Sequence, residues 1–130
     1  MWNFFDLAKR AGLNIQHNPA DAPETPGYYM LFSILGNFIY VGKATNLRDR
    51  LQDHMSEQEP NYLLRLIGKY FIHFPTTNLD EAEMGEAQVF DRWVRASGEH
   101  PLCNEKRPPR STITDDEMMR IKLRIAFGLS

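Results

Sequence analysis

Five side chains that can bind anions or transfer protons lie within one stretch of the chain, residues 27–54. They are Tyr29, Tyr40, Lys43, Arg50 and His54. Arg50 and His54 are four residues apart, so a helix would place them on one face. A guanidinium offers a rigid fork of donors to an anionic oxygen. A phenol, with a reference pKa of about 10, deprotonates water only with help from a nearby cation, and Lys43 is placed to give that help.

A sixth candidate is an acid, Glu86, in the middle of a long predicted helix. Helical spacing places Glu86 on the inward apolar stripe, which comprises Ala82, Val89, Phe90, Trp93 and Val94. Glu81 and Glu83 do not lie on that stripe. A carboxylate on an apolar face costs free energy unless a partner compensates its charge. We therefore expect Glu86 to face either a cation or the Arg50 side chain.

Short aromatic and aliphatic runs predict the strands that carry the first group. Residues 28–32 and 38–41 form two such runs, and Gly36 with Asn37 is a turn signal between them. The run 70–74 predicts a third strand. We therefore expect a small, mainly antiparallel three-stranded sheet with flanking helices, which is an α/β (α+β) domain.

The turn decides whether the two tyrosines can serve one site. A two-residue turn at 35–36 would pair Leu31 with Tyr40 and leave Tyr29 diagonal to it, about 7 Å away. A turn one residue later would pair Ser33 with Tyr40 and separate the tyrosines by roughly 13 Å. We predict the first register.

Capping residues and apolar spacing predict five helices. They are residues 3–11, stopped by Gly12; a helix capped by Thr45; a short helix begun by Pro60 and ending near Gly68; a long helix capped by Asp80 with Glu83 and stopped by Gly98; and a last helix opened by the capping box 114–117 and continuing to about Phe127. The last helix carries an apolar stripe of Met118, Ile121, Ile125 and Leu129. We expect this stripe to pack on the domain, and the alternative is a surface for a partner.

Length and composition predict one domain over residues 1–130. We divide it into an N-terminal helix and loop (1–26), a core (27–104), and a basic linker with a C-terminal helix (105–130). The lone Cys103 excludes a disulfide framework and fits a reducing cytoplasm. No apolar run is long enough to cross a membrane. Because the net charge is -2, a polyanion would have to meet a local basic face.

Two triplets and two later runs resemble the motifs of the GIY-YIG nucleases. GYY at 27–29 and YVG at 40–42 are similar to the two halves of that signature, with Tyr28 in place of isoleucine. EAEMGE at 81–86 and PLCN at 101–104 resemble the glutamate helix and the closing Pro-x-x-Asn. The sequence is similar to the form found in the N-terminal nuclease domain of the bacterial repair subunit UvrC, and this resemblance implies DNA repair as the context.

The resemblance implies a metal-dependent DNA endonuclease with a single divalent cation, Mg²⁺ or Mn²⁺. Glu86 would hold the metal, Asn104 would complete the site, and His54 stands where many relatives have tyrosine. The implied catalytic set is Tyr29, Tyr40, Lys43, Arg50, His54, Glu86 and Asn104. The expected nucleic-acid contacts are Lys43, Arg48, Arg50, Lys106, Arg107 and Arg110.

Several alternatives remain open at the level of sequence. Either Tyr29 or Tyr40 would be the general base, and His54 would be a second proton carrier or only a hydrogen-bond donor. Rival functions are an RNA-cutting nuclease and an inactive nucleic-acid-binding or adaptor module of the same fold. We expect target choice to come from substrate structure, a protein partner or a homodimer.

Overall fold

A computed structural model describes residues 9–56, 59–104 and 106–128. Its strands form one antiparallel sheet in the order β2-β1-β3, and they are β1 (Gly27–Ser33), β2 (Phe38–Ala44) and β3 (Gly68–Pro75). The helices are α1 (Leu47–His54), α2 (Tyr62–Ile67), α3 (Leu79–Ser97) and α4 (Asp115–Ala126). The predicted fold class, a three-stranded antiparallel sheet flanked by helices, is confirmed. Among the described residues, no helix has the length and apolar character needed to span a membrane.

The register of the β1–β2 hairpin follows the prediction. Leu31 lies opposite Tyr40, and Tyr29 lies opposite Gly42. Side chains two positions apart on a strand point to the same face, so Tyr29 and Tyr40 are diagonal neighbours on one face of the sheet. The hairpin therefore brings both phenols to one place.

The predicted two-residue turn is wrong, although the register is right. The Ser33 amide donates to the Asn37 carbonyl at 2.9 Å, so three residues, 34–36, connect the strands. Gly36 has a φ of 82°, which glycine adopts without strain. The ladder then shifts by one residue between Leu31 and Phe32. This β-bulge restores the register that a shorter turn would have given.

Asparagines cap three of the helices, so the predicted caps Thr45 and Asp80 and the predicted helix start at Pro60 are wrong. The observed caps are Asn46, Asn61 and Asn78. Each asparagine side chain accepts a hydrogen bond from the backbone N–H three residues later. A short amide side chain reaches that donor well. The predicted cap of the last helix, Thr114, is confirmed by its bond from the Glu117 amide at 3.1 Å.

Apolar side chains cover both faces of the sheet. One cluster joins the sheet to α3 and α4 and includes Phe32, Val41, Ile72, Phe90, Val94, Met118 and Ile121. The other joins it to α1 and α2 and includes Tyr29, Leu31, Ile39, Leu47, Leu51, Leu64 and Cys103. Of the predicted α4 stripe, Met118 and Ile121 are buried while Ile125 is half exposed. Leu129 and most of the predicted helix 3–11 lie outside the described residues.

Candidate active site

A glycine allows the two tyrosines of the hairpin to converge. The ring centroids of Tyr29 and Tyr40 are 6.3 Å apart. A Cβ atom at Gly42 would overlap the Tyr29 hydroxyl and the Tyr40 ring. Tyr29 is completely buried, whereas Tyr40 is partly exposed. The glycine is therefore required by the close approach of the two phenols.

His54 ends α1 beneath Tyr29. Its Nε2 lies 2.6 Å from the Tyr29 hydroxyl, and its Nδ1 lies 2.5 Å from Oε2 of Glu59. Burial lowers the pKa of His54 to about 3, with the Arg50 charge acting in the same direction and Asp53 opposing it. His54 is consequently neutral near pH 7.

Arg50 is the cation that acts on both tyrosines. Burial raises the pKa of Tyr29 well above 10, the charge of Tyr40 adds to that rise, and Arg50 opposes it. Burial likewise raises the pKa of Tyr40, again against the Arg50 charge. Lys43, predicted for this role, instead forms an ion pair with Glu83 at 2.9 Å.

Glu86 is buried on α3, as its helical spacing predicts. The preceding residue, Gly85, packs so tightly on the Tyr28 ring that any Cβ would clash with it, and this brings α3 close to β1. Glu86 is only 8% exposed, and its Oε1 accepts no hydrogen bond within the described ranges. Burial raises the pKa of Glu86 to about 7, with Lys43 opposing the shift and Glu83 adding to it.

Glu86 and Tyr40 line one cleft, with Asn104 and the tail residues 106–109 around it. The described residues contain no cluster of three or more acidic, histidine or cysteine side chains that could enclose a metal. A single carboxylate suits a hard cation such as Mg²⁺, which keeps several waters and takes its remaining oxygens from substrate phosphate. The unused Glu86 oxygen therefore fits a divalent cation.

Asn104 supports the site through the backbone of β2. Its Oδ1 accepts from the Val41 amide at 2.9 Å, and its Nδ2 donates to the Val41 carbonyl at 3.0 Å. The Cys103 amide donates to the Ile39 carbonyl at 2.8 Å. These bonds close the free edge of β2 on either side of Tyr40. Asn104 thus holds Tyr40 in place.

Acids or backbone carbonyls already bind most of the basic side chains expected to contact nucleic acid. Besides the Lys43–Glu83 pair, the contacts are Arg48 with the Ala22 carbonyl and Glu24, Arg107 with the Ile113 carbonyl and Asp115, and Arg110 with Asp80 and Glu83. Lys106 and Arg107 line the Glu86 cleft. The predicted basic face is therefore largely charge-compensated.

Sequence reasoning missed Glu59, the partner of His54. Glu59 is 3% exposed and lies between α1 and α2 in a polar segment with no periodic apolar signal. Its other oxygen, Oε1, accepts from the Asn61 amide at 3.0 Å. The sequence of residues 57–60 predicts only a polar break, with Pro60 starting the next helix.

The sheet carries two phenols, α1 carries an arginine and α3 carries a buried carboxylate, which are side chains that can bind a phosphate and a cation. The chain belongs to the family described as the GIY-YIG catalytic domain, whose model matches residues 25–110. It is a GIY-YIG endonuclease domain of the UvrC type.

Known relatives agree with this assignment. UvrABC system protein C of Rickettsia rickettsii (strain Sheila Smith) is 37% identical over 75 residues, which are 56% of this chain and 12% of that protein. The Rickettsia felis protein of the same name is 39% identical over 75 residues, with the same coverage of 56% and 12%. The chain thus spans about an eighth of the length of these relatives.

Solved structures share the fold. A point mutant of the GIY-YIG N-terminal endonuclease domain of UvrC from Thermotoga maritima, bound to its catalytic divalent cation, has a TM-score of 0.53 and 26% identity. The match covers 68% of this chain and 91% of that one. The magnesium-bound form of the same domain has a TM-score of 0.52 at 23% identity and covers 80% and 99%.

Proposed function

We propose that this domain hydrolyses phosphodiester bonds in DNA with one divalent cation, Mg²⁺ or Mn²⁺, held by Glu86. The observation that carries the proposal is the buried Glu86 oxygen without a hydrogen bond, in the cleft that Tyr40 lines. An ionised carboxylate in such a place needs a positive partner. The divalent cation bound by the similar UvrC domain supports the same role here.

The other site residues would bind the phosphate, position the attacking water and hold Arg50. The bound cation would neutralise phosphate charge and lower the pKa of a bound water. Arg50 would bind a phosphate oxygen with its fork of donors. Tyr40, which is partly exposed in the cleft, would orient or deprotonate the attacking water, because a general base must lie within hydrogen-bonding reach of it. Fully buried Tyr29 would hold Arg50, with which its hydroxyl interacts.

DNA is the proposed substrate, and unaided affinity for it is expected to be weak. Most basic side chains near the site are already paired with acids, so few are left for phosphates. A partner protein, a second copy of the chain or a distorted DNA structure would then supply target choice. We place the enzyme in the cytoplasm, where the buried free Cys103 would stay reduced.

Cleavage of supercoiled plasmid in Mg²⁺ buffer tests the proposal. The parent should nick or linearise the plasmid, and Glu86→Gln should be slower by at least ~100-fold, the scale of losing a main electrostatic contributor. Glu99→Gln is the charge-matched control, because Glu99 is exposed, and it should cut like the parent. Equal cleavage by Glu86→Gln, or cleavage of an RNA of the same sequence but not of DNA, would refute the proposal.

Cation binding can be measured without cleavage. Mg²⁺ or Mn²⁺ should raise the free energy of unfolding of the parent, by about 2.7 kcal/mol at a hundred times the Kd. Glu86→Gln should lose this stabilisation, while Glu99→Gln should keep it. Equal stabilisation of all three proteins would show that the cation binds elsewhere.

A further inference from the structure

Glu59 makes a buried contact that the nuclease chemistry described above does not use. The side chains of His54 and Glu59 are 1% and 3% exposed, and the Glu59 carboxylate reaches the His54 ring at Nδ1. The opposite ring nitrogen, Nε2, meets the Tyr29 hydroxyl. Arg50 interacts with that same hydroxyl. Three buried side chains, Glu59, His54 and Tyr29, thus lead to the half-buried Arg50, which is the proposed phosphate-binding residue.

We propose that Glu59 is a positioning residue, which fixes the His54 proton on Nδ1 and thereby makes the Tyr29 hydroxyl donate to His54. The catalytic consequence rests on the proposed nuclease function. The direction of the hydrogen bonds does not rest on it.

Counting donors and acceptors gives the direction of the chain. A guanidinium has only donors, so Tyr29 must accept from Arg50 and must send its own proton elsewhere. The acceptor within reach is His54 Nε2, which accepts only when the ring proton is on Nδ1. Oε2 of Glu59 lies 2.5 Å from Nδ1, close enough for its charge to act on the ring although the two atoms do not have hydrogen-bond geometry. A negative charge beside Nδ1 favours the tautomer that carries its proton there. A carboxylate that selects a histidine tautomer in this way is a known device for orienting active-site groups.

The surroundings of His54 keep its ring neutral, so Glu59 can influence the tautomer of the ring and not its charge. The groups that face it are Tyr29 from β1, Tyr40 from β2, Arg50 and Asp53 from α1, and Glu59 from the following segment. Burial and the Arg50 charge lower the pKa of His54 to about 3, so the ring is neutral in the working range of pH. In the opposite tautomer both His54 and Arg50 would direct donors at the Tyr29 oxygen. The Tyr29 proton would then have no acceptor among Arg50, His54 and Glu59.

Nitrogen-15 NMR of the His54 ring measures the tautomer directly in the full chain. The parent should show a protonated Nδ1 and an unprotonated Nε2. Glu59→Gln removes the charge but keeps the shape, and it should shift the ring toward the Nε2–H form, because the new amide can donate to Nδ1. Asp53→Asn is the matched control. It removes an exposed charge from the residue next to His54 without touching Nδ1, and it should leave the tautomer unchanged.

Cleavage kinetics then separate positioning from folding. Glu59→Gln should lower kcat by at least ~10-fold, the scale seen for partners that orient active-site ligands, with KM nearly unchanged. In a His54→Gln background the same substitution should have no further effect on kcat, because Glu59 acts through His54. Asp53→Asn should cut like the parent. Thermal unfolding of each variant shows whether it is folded in the assay.

An Nε2-protonated ring in the parent would overturn the inference, even if Glu59→Gln fails to fold. So would an unchanged tautomer in folded Glu59→Gln, or an additive loss of kcat in the double variant. The proposed nuclease function fails separately, when the parent cuts no DNA while the NMR result stands.

Discussion

Two buried acids on the same helix, Glu86 and Asp91, differ in what surrounds them rather than in how deeply they lie. They are 8% and 7% exposed. Asp91 accepts hydrogen bonds from the Ser111 hydroxyl at 2.5 Å, the Thr112 amide at 2.7 Å and the Thr112 hydroxyl at 2.8 Å. Glu86 has an oxygen that accepts none from the described part of the chain.

This difference separates a structural acid from a functional one. The bonds of Asp91 tie the segment before α4 to α3, so its charge is compensated within the fold. The charge of Glu86 is left for a ligand, which accords with the rule that buried polar atoms without partners in native proteins need an explanation. Burial alone would have ranked the two acids equally. The number of unused oxygen lone pairs distinguishes them.

Catalysis should respond to Glu86 and hardly at all to Asp91. We expect Glu86→Gln to reduce plasmid cleavage by at least ~100-fold, because it removes the charge that would hold the cation. Asp91→Asn should cut within a few-fold of the parent at a temperature where it is folded. The rates should be compared at 15–20 °C, with folding checked by circular dichroism. A similar loss of cleavage rate in both variants would show that Asp91 is as important for catalysis as Glu86.

The free energy of unfolding should respond to Asp91 and hardly at all to Glu86, which is the reverse of the order expected for the cleavage rate. Asp91→Asn replaces an acceptor oxygen by an amide donor and leaves a buried donor of Ser111 or Thr112 without its partner, which should cost about 2–3 kcal/mol. Glu86→Gln should be at least as stable as the parent in metal-free buffer, because a poorly compensated buried charge is removed. Urea unfolding in EDTA gives both free energies. A loss of stability in Glu86→Gln equal to that of Asp91→Asn would show that Glu86 is also a structural acid.

The pH dependence of stability should carry a component from Glu86. Its pKa is about 7 in the folded state, above the ordinary value for glutamate, so the folded state binds its proton more tightly than the unfolded state does. Stability from this group is present at low pH and declines as pH rises toward and through 7. Between pH 6 and pH 8 the decline should be about 1 kcal/mol.

His54 opposes that component in the same range, so the parent alone cannot isolate it. The folded-state pKa of His54 is about 3, below its ordinary value. Its contribution is therefore present at high pH and begins to fall as pH drops through about 6.5. Subtracting the profile of Glu86→Gln from that of the parent, in EDTA, isolates Glu86. Asp91→Asn should retain the full Glu86 component, and a flat difference profile would contradict the raised pKa.

The sequence predicts the features that depend on local periodicity. Alternation along β1 and β2 predicts that Tyr29 and Tyr40 share a face, and helical spacing predicts that Glu86 is buried. Contacts between residues that are far apart in the sequence cannot be predicted from that periodicity. Lys43 pairs with Glu83, forty residues away, and only the folded chain reveals that contact.

Glu59 and the helix caps illustrate two other limits. Glu59 is buried against His54, and neither composition nor spacing encodes that contact. At the caps, adjacent polar residues are alternative N-caps, and Asn46 rather than Thr45 accepts from the Asp49 amide.

The smallest expected effect is on DNA affinity. In EDTA at pH 8, Glu86→Gln should bind a labelled duplex a few-fold more tightly than the parent, because the Glu86 charge would repel a phosphate in its cleft by about 1 kcal/mol or less. Asp91→Asn should bind like the parent, since Ser111 and Thr112 already compensate that charge. Fluorescence anisotropy at several KCl concentrations measures both effects. Each phosphate contact contributes a log–log salt slope of about -0.9, and the paired basic side chains leave few contacts, so all three proteins should show shallow slopes. A salt slope of about -8 or steeper would mean that DNA displaces the acids from Lys43, Arg107 and Arg110. An equal gain in DNA affinity in Glu86→Gln and Asp91→Asn would mean that Asp91 also faces the DNA.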